Sequence, residues 1–280
     1  MQLGVFGMNS GATYGPGPTA RLALRCEELG YDSWWAGEHV VVPSPRVAPS
    51  PMRPTDPILD PLVHLAFVAA ATERLLLGTG IIILPQRNPL VLAKQIASLD
   101  AVSGGRFVFG VGVGYLEPEM TAIGVPLSER ASRTDDHLAA MRAIWYEDGP
   151  VSFSGLHTSY SGVDAHPRPG GRIPIVIGGH TTGAYRRAVE QGNGWYGFFR
   201  TPEQVAEDVA GLRAAAERYA RPDELGTLQV SVTPPGPVTA ETLRAYTDLG
   251  VDRLIVYPIG ITDEAEIDRF LAEQAELVLG

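Results

Sequence analysis

Cysteine is almost absent from this 280-residue sequence. Cys26 is the only one, and it lies within a helical pattern. Because a lone cysteine cannot form an internal disulfide, we expect a buried thiol in a protein of the reducing cytoplasm. H-x-H pairs, the H-E-x-x-H motif and clusters of Cys and His are also missing, which speaks against a transition-metal site.

Long apolar runs and an excess of positive charge are lacking too. No segment offers about 18 uninterrupted apolar residues, and the amino end has no basic stretch before an apolar core. We therefore expect neither membrane insertion nor secretion. The formal net charge is −10, and Lys94 is the only lysine among dispersed arginines. Such a charge repels phosphate backbones, so no nucleic-acid partner is expected.

The sequence does contain a regular alternation of short β-branched runs and longer amphipathic stretches. Eight candidate strands cover residues 3–8, 32–36, 75–84, 106–113, 173–177, 194–197, 228–233 and 253–257. Eight helical patterns cover residues 18–29, 60–72, 89–102, 130–147, 181–191, 202–219, 239–249 and 263–278. This alternation is typical of repeated βα units around a parallel sheet.

Two α/β architectures fit this alternation, a closed barrel and an open doubly wound sheet. The open sheet usually has a Gly-rich dinucleotide turn after its first strand, whereas here Gly15-Pro-Gly-Pro follows, and proline lacks the N–H donor that a pyrophosphate needs. We therefore predict a (β/α)8 TIM barrel, with residues 1–280 forming one domain.

Two stretches interrupt the alternation. Residues 41–57 hold six prolines and are predicted to form a long loop over the barrel mouth. Residues 149–172 are predicted to form a small hairpin followed by a Pro/Gly-rich return to the fifth strand.

The strand ends are where catalytic groups of such barrels lie. Glu38 and His39 end the second strand segment. An imidazole there can exchange a proton near neutral pH, and the adjacent carboxylate can hydrogen-bond or tune a cofactor ring. The alternative is a histidine that only packs beneath the following loop.

Glycines occur within the third and fourth strand segments, at positions 78, 80, 110, 112 and 114. Glycine in a strand marks a bulge or a backbone that a ligand approaches closely. The alternative is that small residues let barrel layers interlock.

The fifth strand is followed by Gly178-Gly179-His180-Thr181 and a helix. The N–H groups at a helix start suit a phosphate, although an ordinary N-cap has the same appearance. Of the other histidines, His64 and His137 lie in helices and His157 and His166 in the hairpin insertion, so packing or surface roles are expected.

Four ordered segments resemble the luciferase-like monooxygenase superfamily, especially its short branch that depends on coenzyme F420, a deazaflavin. They are Glu27-Glu-Leu-Gly-Tyr-Asp-Ser-Trp-Trp-Ala-Gly-Glu-His, Leu77-Gly-Thr-Gly-Ile, Leu99-Asp-Ala-Val-Ser-Gly-Gly-Arg-Phe with Gly110-Val-Gly-Val-Gly-Tyr, and Ile177-Gly-Gly followed by Gly192-Asn-Gly-Trp. The resemblance runs from the amino end to about residue 200 and is weaker afterwards.

The resemblance implies a deazaflavin or flavin ring across the barrel mouth. His39 would transfer the proton, and Glu38 would contact the ring. A third-strand bulge, often with a non-proline cis peptide in the family, would support one face. The implied cofactor-binding residues are Glu38, Thr79, Gly80, Ile81, Gly112, Gly114, Tyr115 and, for the phosphate, Gly178, Gly179, His180 and Thr181.

One departure concerns the superfamily's glucose-6-phosphate dehydrogenases, which carry a catalytic Glu where this chain has Tyr115. It speaks against sugar-phosphate oxidation by that acid–base pair. Glu119 matches a recurring acidic position of the short branch to which the resemblance assigns no role.

The leading hypothesis is hydride transfer between coenzyme F420 and a small organic substrate. An FMN-dependent monooxygenase is the alternative, because FMN relatives share most of these motifs. A third possibility is a cofactor-free barrel that only binds a phosphate-bearing ligand. The resemblance also implies a homodimer formed through helices near residues 61–71 and 90–99. The substrate pocket is expected to be built by residues 41–57, the hairpin insertion and the end of the eighth strand around Tyr257.

Overall fold

A ring of parallel strands surrounded by helices organises the computed structural model, which describes all residues from 1 to 280. The strands are β1 Gln2–Phe6, β2 Ser33–Ala36, β3 Leu76–Thr79, β4 Ile82–Ile83, β5 Phe107–Gly112, β6 Val151–Ser154, β7 Ser159–Val163, β8 Ile175–Gly178, β9 Gly194–Phe198, β10 Gln229–Thr233 and β11 Arg253–Val256. The helices are α1 Pro16–Leu29, α2 Pro61–Ala71, α3 Pro89–Ser103, α4 Glu117–Ala122, α5 Arg130–Tyr146, α6 Thr182–Gln191, α7 Pro202–Arg218, α8 Ala240–Asp248 and α9 Glu264–Leu279.

The ring closes by parallel pairing in the order β3-β2-β1-β11-β10-β9-β8-β5, and β3 also pairs with β5. β3 and β4 form one interrupted strand, so the barrel has eight. The first and last strands are neighbours, since Leu3 pairs with Leu254 and Val5 with Val256. The predicted (β/α)8 barrel is confirmed.

Most predicted element bounds agree with the observed ones to within about two residues. The third strand, predicted as continuous over 75–84, breaks at Gly80 and Ile81, which a cis peptide bond joins. The short helix α4 was not predicted, because its six residues are too few to show a helical period.

Helix boundaries follow local chemistry. Asp60 accepts hydrogen bonds from the Leu62 and Val63 N–H groups at the start of α2, while Thr201 and Gln204 form a capping box at the start of α7. Gly30, with φ of 86°, ends α1 in the left-handed region. These local signals determine where the helices begin and end, and therefore where the neighbouring strands begin.

The barrel interior is packed with side chains. Phe6, Trp35, Tyr196 and Ile255 belong to one buried cluster, and the Trp35 and Tyr196 rings stack 5.8 Å apart. A larger core lies between the strands and the helices. Because the interior is filled, a ligand must bind at an end of the barrel.

The two insertions differ in structure. Residues 41–57 contain no helix or strand, and the chain just after them is held to the end of β1 by Leu59, whose N–H donates to Asn9 O at 2.9 Å. The second insertion contains the predicted hairpin, in which β6 and β7 pair antiparallel. None of the helices is both long enough and apolar enough to cross a membrane.

Candidate functional site

His39 follows β2 at the carboxyl end of the barrel and contacts a buried carboxylate. Its Nδ1 lies 2.8 Å from Glu119 Oε2, and the Glu119 side chain is only 1% exposed. Because an ionised carboxylate only accepts hydrogen bonds, Nδ1 carries the proton and Nε2 is the free ring nitrogen. The imidazole is therefore oriented with one nitrogen available for proton exchange.

Glu119 comes from α4. The Val40 N–H donates to Glu119 Oε1 at 2.6 Å, so one carboxylate holds both His39 and the start of the following loop. Leu116 and Met120 on either side are buried and anchor this segment. The family resemblance gave Glu119 no role, and the sequence signal that could have found it is an acidic residue set between apolar neighbours.

Glu38 has a separate set of partners. Its Oε1 accepts from Arg87 Nε at 2.8 Å, and its Oε2 accepts from the Ile83 N–H at 2.6 Å. Arg87 also donates to Asp60 at 2.6 Å. Burial raises the pKa of Glu38, and the Arg87 charge opposes that rise. This network joins the ends of β2 and β4 to α2, and Arg87 was not singled out from the sequence.

The predicted bulge interrupts the third barrel strand at Thr79, Gly80 and Ile81, and its cis peptide is present. A Cβ on Gly110 would overlap the Thr79 carbonyl oxygen, and one on Gly112 would lie 2.6 Å from Ile81 Cδ1. The glycine face of β5 is thus filled by the bulge itself. This fit agrees with the interpretation that small residues let neighbouring barrel strands interlock.

Gly114 and Tyr115 follow β5. Gly114 has φ of 77°, and a Cβ there would lie 2.6 Å from Ile83 Cγ2. Tyr115 is 52% exposed, and its ring lies edge-on to His39 with centroids 6.1 Å apart. Burial, with the Glu119 charge adding to it, raises the pKa of Tyr115. Its hydroxyl is therefore protonated at neutral pH and able to donate a hydrogen bond.

The turn between β8 and α6 brings Gly178, Gly179 and His180 to the start of a helix. Gly179 has φ of 123°, a conformation that favours glycine, and its carbonyl accepts from Trp195 Nε1 at 2.8 Å. Thr181 caps α6 by accepting from the Ala184 N–H at 3.3 Å. The other first-turn N–H groups have no partner within the helix, so they form a positive end that suits a phosphate.

His180 belongs to this turn, and its side chain is 35% exposed. Its Nδ1 is 4.0 Å from Oδ1 of the buried Asp208, which pairs with Arg200 at 2.6 Å. Burial, followed by the Arg200 charge, lowers the pKa of His180. At neutral pH His180 is therefore uncharged and can contribute a hydrogen bond but no positive charge.

The predicted site residues lie at or just after the carboxyl ends of only four barrel strands. These strands, β2, β3 with its continuation β4, β5 and β8, are consecutive neighbours in the barrel. The structure thus gathers His39, the bulge, Tyr115 and the turn between β8 and α6 along one half of the mouth.

The remaining histidines have the packing or surface roles expected from the sequence. His64 is buried and accepts from Trp34 Nε1 at 3.0 Å. His137 is buried with Nδ1 3.3 Å from Leu84 O, and His166 is 70% exposed beside Asp164.

Acid is expected to destabilise the protein through His64, because burial lowers its pKa from 6.5 to about 4. As the pH falls, the unfolded chain binds the proton first, so the stability that neutral His64 provides is lost between about 6.5 and 4. We expect a loss of about 2 to 3 kcal/mol between pH 7 and 4.5. Urea unfolding at both values measures it. His64→Gln should remove this part of the pH dependence and His166→Gln should not; equal slopes in all three proteins would contradict the assignment.

Comparison with known proteins places these features in a family. Residues 1–253 match the sequence model of luciferase-like monooxygenases. An uncharacterised protein of Mycobacterium tuberculosis is 30% identical over 268 residues, which cover 90% of this chain and 89% of the relative. An F420-dependent glucose-6-phosphate dehydrogenase of Kineococcus radiotolerans is 31% identical over 191 residues, 66% of this chain and 53% of the dehydrogenase.

Solved structures share the fold. A monooxygenase from Streptomyces bottropensis superposes with a TM-score of 0.80 at 22% identity, covering 100% of this chain and 99% of the other. An F420-dependent secondary alcohol dehydrogenase, solved with an F420-acetone adduct, superposes with a TM-score of 0.79 at 16% identity, covering 99% and 98%. At these identities the likeness concerns the fold alone.

Proposed function

Since this chain belongs to the luciferase-like monooxygenase family, we propose that it transfers a hydride between the deazaflavin coenzyme F420 and a small organic substrate. The observation that carries this proposal is the His39–Glu119 pair, 2.8 Å apart, at the strand ends beside the Thr79–Ile81 bulge. The F420-dependent dehydrogenase relative supports the choice of coenzyme.

The residues present fit such a cofactor. Gly179, with φ of 123°, and the first turn of α6 offer N–H groups to its phosphate. The bulge at Thr79–Ile81 offers backbone to one face of the ring. When bound, the deazaflavin supplies a hydride donor or acceptor at its C5 atom. Gly178, His180 and Thr181 complete the proposed phosphate site.

In this proposal His39 moves the proton that accompanies the hydride. Glu119 holds Nδ1, so Nε2 is the nitrogen that faces the substrate. The imidazolium form gives its Nε2 proton to a substrate oxygen during reduction, and Nε2 of the neutral ring takes a proton from a hydroxyl during oxidation. Glu38, whose oxygens accept from Arg87 and the Ile83 N–H, holds the strand ends in place. Direct contact of Glu38, Gly112, Gly114 or Tyr115 with the ring remains a prediction.

An FMN-dependent monooxygenase is the second candidate. A monooxygenase is among its structural neighbours, with a TM-score of 0.80, and the same phosphate turn and bulge would serve FMN. The two candidates differ in the cofactor that must be bound tightly.

Equilibrium titration with F420 and FMN separates them. We expect F420 to bind at micromolar concentration or tighter, measured by its fluorescence, and FMN to bind at least about tenfold more weakly, a difference of about 1.4 kcal/mol. Tighter binding of FMN would select the monooxygenase. Failure of both to bind would select the cofactor-free barrel that only holds a phosphate-bearing ligand.

We further propose that the protein forms a homodimer through α2 and α3. These helices expose the apolar side chains of Val63, Phe67, Val91 and Val102, with exposures from 43% to 71%. Phe67→Glu is expected to give monomers, because a carboxylate would be desolvated at the interface. Sedimentation velocity measures the mass. Leu156→Glu, at the hairpin turn and 78% exposed, is the control that should leave the dimer intact; a monomeric parent protein would refute the proposal.

A further inference from the structure

Four aromatic rings meet at the carboxyl ends of three strands. They are Phe6 at the end of β1, Phe198 and Phe199 at the end of β9, and Tyr257 after β11. Phe198 and Phe199 stack with centroids 4.2 Å apart, and Phe199 and Tyr257 with centroids 5.9 Å apart. We call these four residues the aromatic shelf. Phe198, Phe199 and Tyr257 are only half-buried, so part of the shelf is open to a ligand.

Phe199 has an unusual backbone. Its φ is 52°, and it is the only residue other than glycine with a positive φ. Bulky side chains rarely adopt this left-handed conformation, and such residues cluster at functional sites. The conformation turns the chain so that the Phe199 ring lies against both Phe198 and Tyr257. The strained backbone conformation is thus located at Phe199, the residue whose ring links Phe198 to Tyr257.

The segments that carry Phe6 and Tyr257, and the neighbouring end of β10, lack charged residues. Residues 3–20, 233–240 and 254–262 form or follow the ends of β1, β10 and β11, and they contain no Asp, Glu, Lys, Arg or His. Arg200, which follows Phe199, is paired with Asp208 through hydrogen bonds of 2.6 Å and 3.1 Å. The shelf therefore offers no free cation to a phosphate or a carboxylate.

The shelf adjoins the proposed catalytic residues. A Cβ on Gly80, in the bulge, would lie 3.1 Å from the Phe6 ring, and one on Gly37 would lie 2.8 Å from it. Gly37 precedes the Glu38-His39 pair along the chain. A ligand on the shelf would thus lie near both the bulge and the strand end that carries His39.

We infer that the aromatic shelf is the substrate subsite and that it takes a planar, uncharged, conjugated ring. Aromatic faces stack on flat π-systems, and charged substrates would lose their hydration here without gaining a partner. That the ligand is a substrate rests on the proposed function, but binding of the ring to the shelf can be measured without cofactor.

The test is calorimetric titration of the cofactor-free full chain with 2-naphthalenemethanol, its fully saturated analogue and glucose 6-phosphate. We expect the aromatic alcohol to bind about tenfold tighter than the saturated one, and glucose 6-phosphate to bind most weakly. Equal binding of the two alcohols, or tighter binding of the sugar phosphate, would overturn the inference.

Variants locate the binding. Phe199→Gly removes one ring, and glycine adopts the left-handed backbone conformation of this position without strain. Tyr257→Leu removes a second ring. Each variant should bind 2-naphthalenemethanol about tenfold more weakly. Phe153→Leu is the matched control, because Phe153 and Tyr160 form a similarly stacked pair, 5.8 Å apart, in the hairpin. Unchanged binding in both shelf variants, or an equal loss in the control, refutes the subsite.

The outcome is separable from that of the proposed function. If F420 binds and the naphthalene ring does not, the shelf inference fails alone. If the ring binds in a shelf-dependent way and neither cofactor binds, the proposed function fails and the shelf remains as a binding site. A melting curve for Phe199→Gly confirms folding, and Tyr257→Leu decides the question should that variant unfold.

Discussion

Replacing His39 by alanine is expected to lower the turnover number by about 10²-fold or more while leaving the affinity for the cofactor within about twofold. His39 lies beside Tyr115 at the mouth, and its Nδ1 is held 2.8 Å from Glu119 Oε2, which leaves Nε2 free. Loss of the ring therefore removes the proton carrier and leaves the phosphate turn intact. Steady-state rates and an equilibrium cofactor titration on the same preparation measure both quantities.

Glu119→Gln tests whether the orientation of His39 matters. The amide would donate towards Nδ1, which selects the opposite tautomer of the imidazole and changes the free nitrogen. We expect the turnover number to fall about tenfold or more, with its pH profile displaced and cofactor binding retained. Full activity in His39→Ala would show that His39 takes no part in the reaction. Full activity in Glu119→Gln would show that its hydrogen bond to Glu119 is not needed for catalysis.

Gly110→Ala is expected to damage the site through the backbone, with a stability loss of about 3 kcal/mol, the upper part of the range for overpacked cores. A Cβ there would overlap the Thr79 carbonyl oxygen, and the Thr79 hydroxyl donates to the Gly110 carbonyl at 2.7 Å. No rotamer change can relieve a clash with a carbonyl group. The bulge must therefore move, and we expect cofactor affinity to fall at least about tenfold.

Urea unfolding and cofactor titration of the same variant measure these two effects. Gly170→Ala is the matched control, because a Cβ at that position meets nothing within 4 Å and its φ is not positive. A Gly110→Ala protein with the stability and cofactor affinity of the control would show that the fit between β5 and the bulge is not needed.

The barrel could be predicted from the sequence because its signals are local and repeated. Gly30 ends its helix and Asp60 begins one through contacts within a few residues, and each such signal is readable from a short window. The glycines at 78 and 80 indicated a bulge or a close ligand approach, and the family resemblance placed the bulge at Thr79, Gly80 and Ile81. The glycines alone do not reveal where the strand breaks, since the break at Gly80 depends on how the bulge fits the glycines of the neighbouring strand β5.

The site was only partly predictable, because several of its contacts join residues that are distant in the sequence. His39 stands out because it ends a strand, but Glu119 and Arg87 act through contacts across 80 and 49 sequence positions. Contacts between residues so far apart leave no repeating pattern that could be recognised in a single sequence. Glu38 accepts hydrogen bonds from Arg87 and the Ile83 N–H. Its position next to His39 did not indicate these partners, because side chains of consecutive residues at a strand end commonly point in different directions.

The pairing of β1 with β11 determines when the barrel can close during folding. Translation produces Gln2–Phe6 before Arg253–Val256 and before all the strands between them, so one edge of β1 stays unpaired until β11 has been made. Bare strand edges invite wrong pairings. The pairing of β1 with β11 can therefore form only after the intervening strands have been synthesised, and ring closure is a late step of folding.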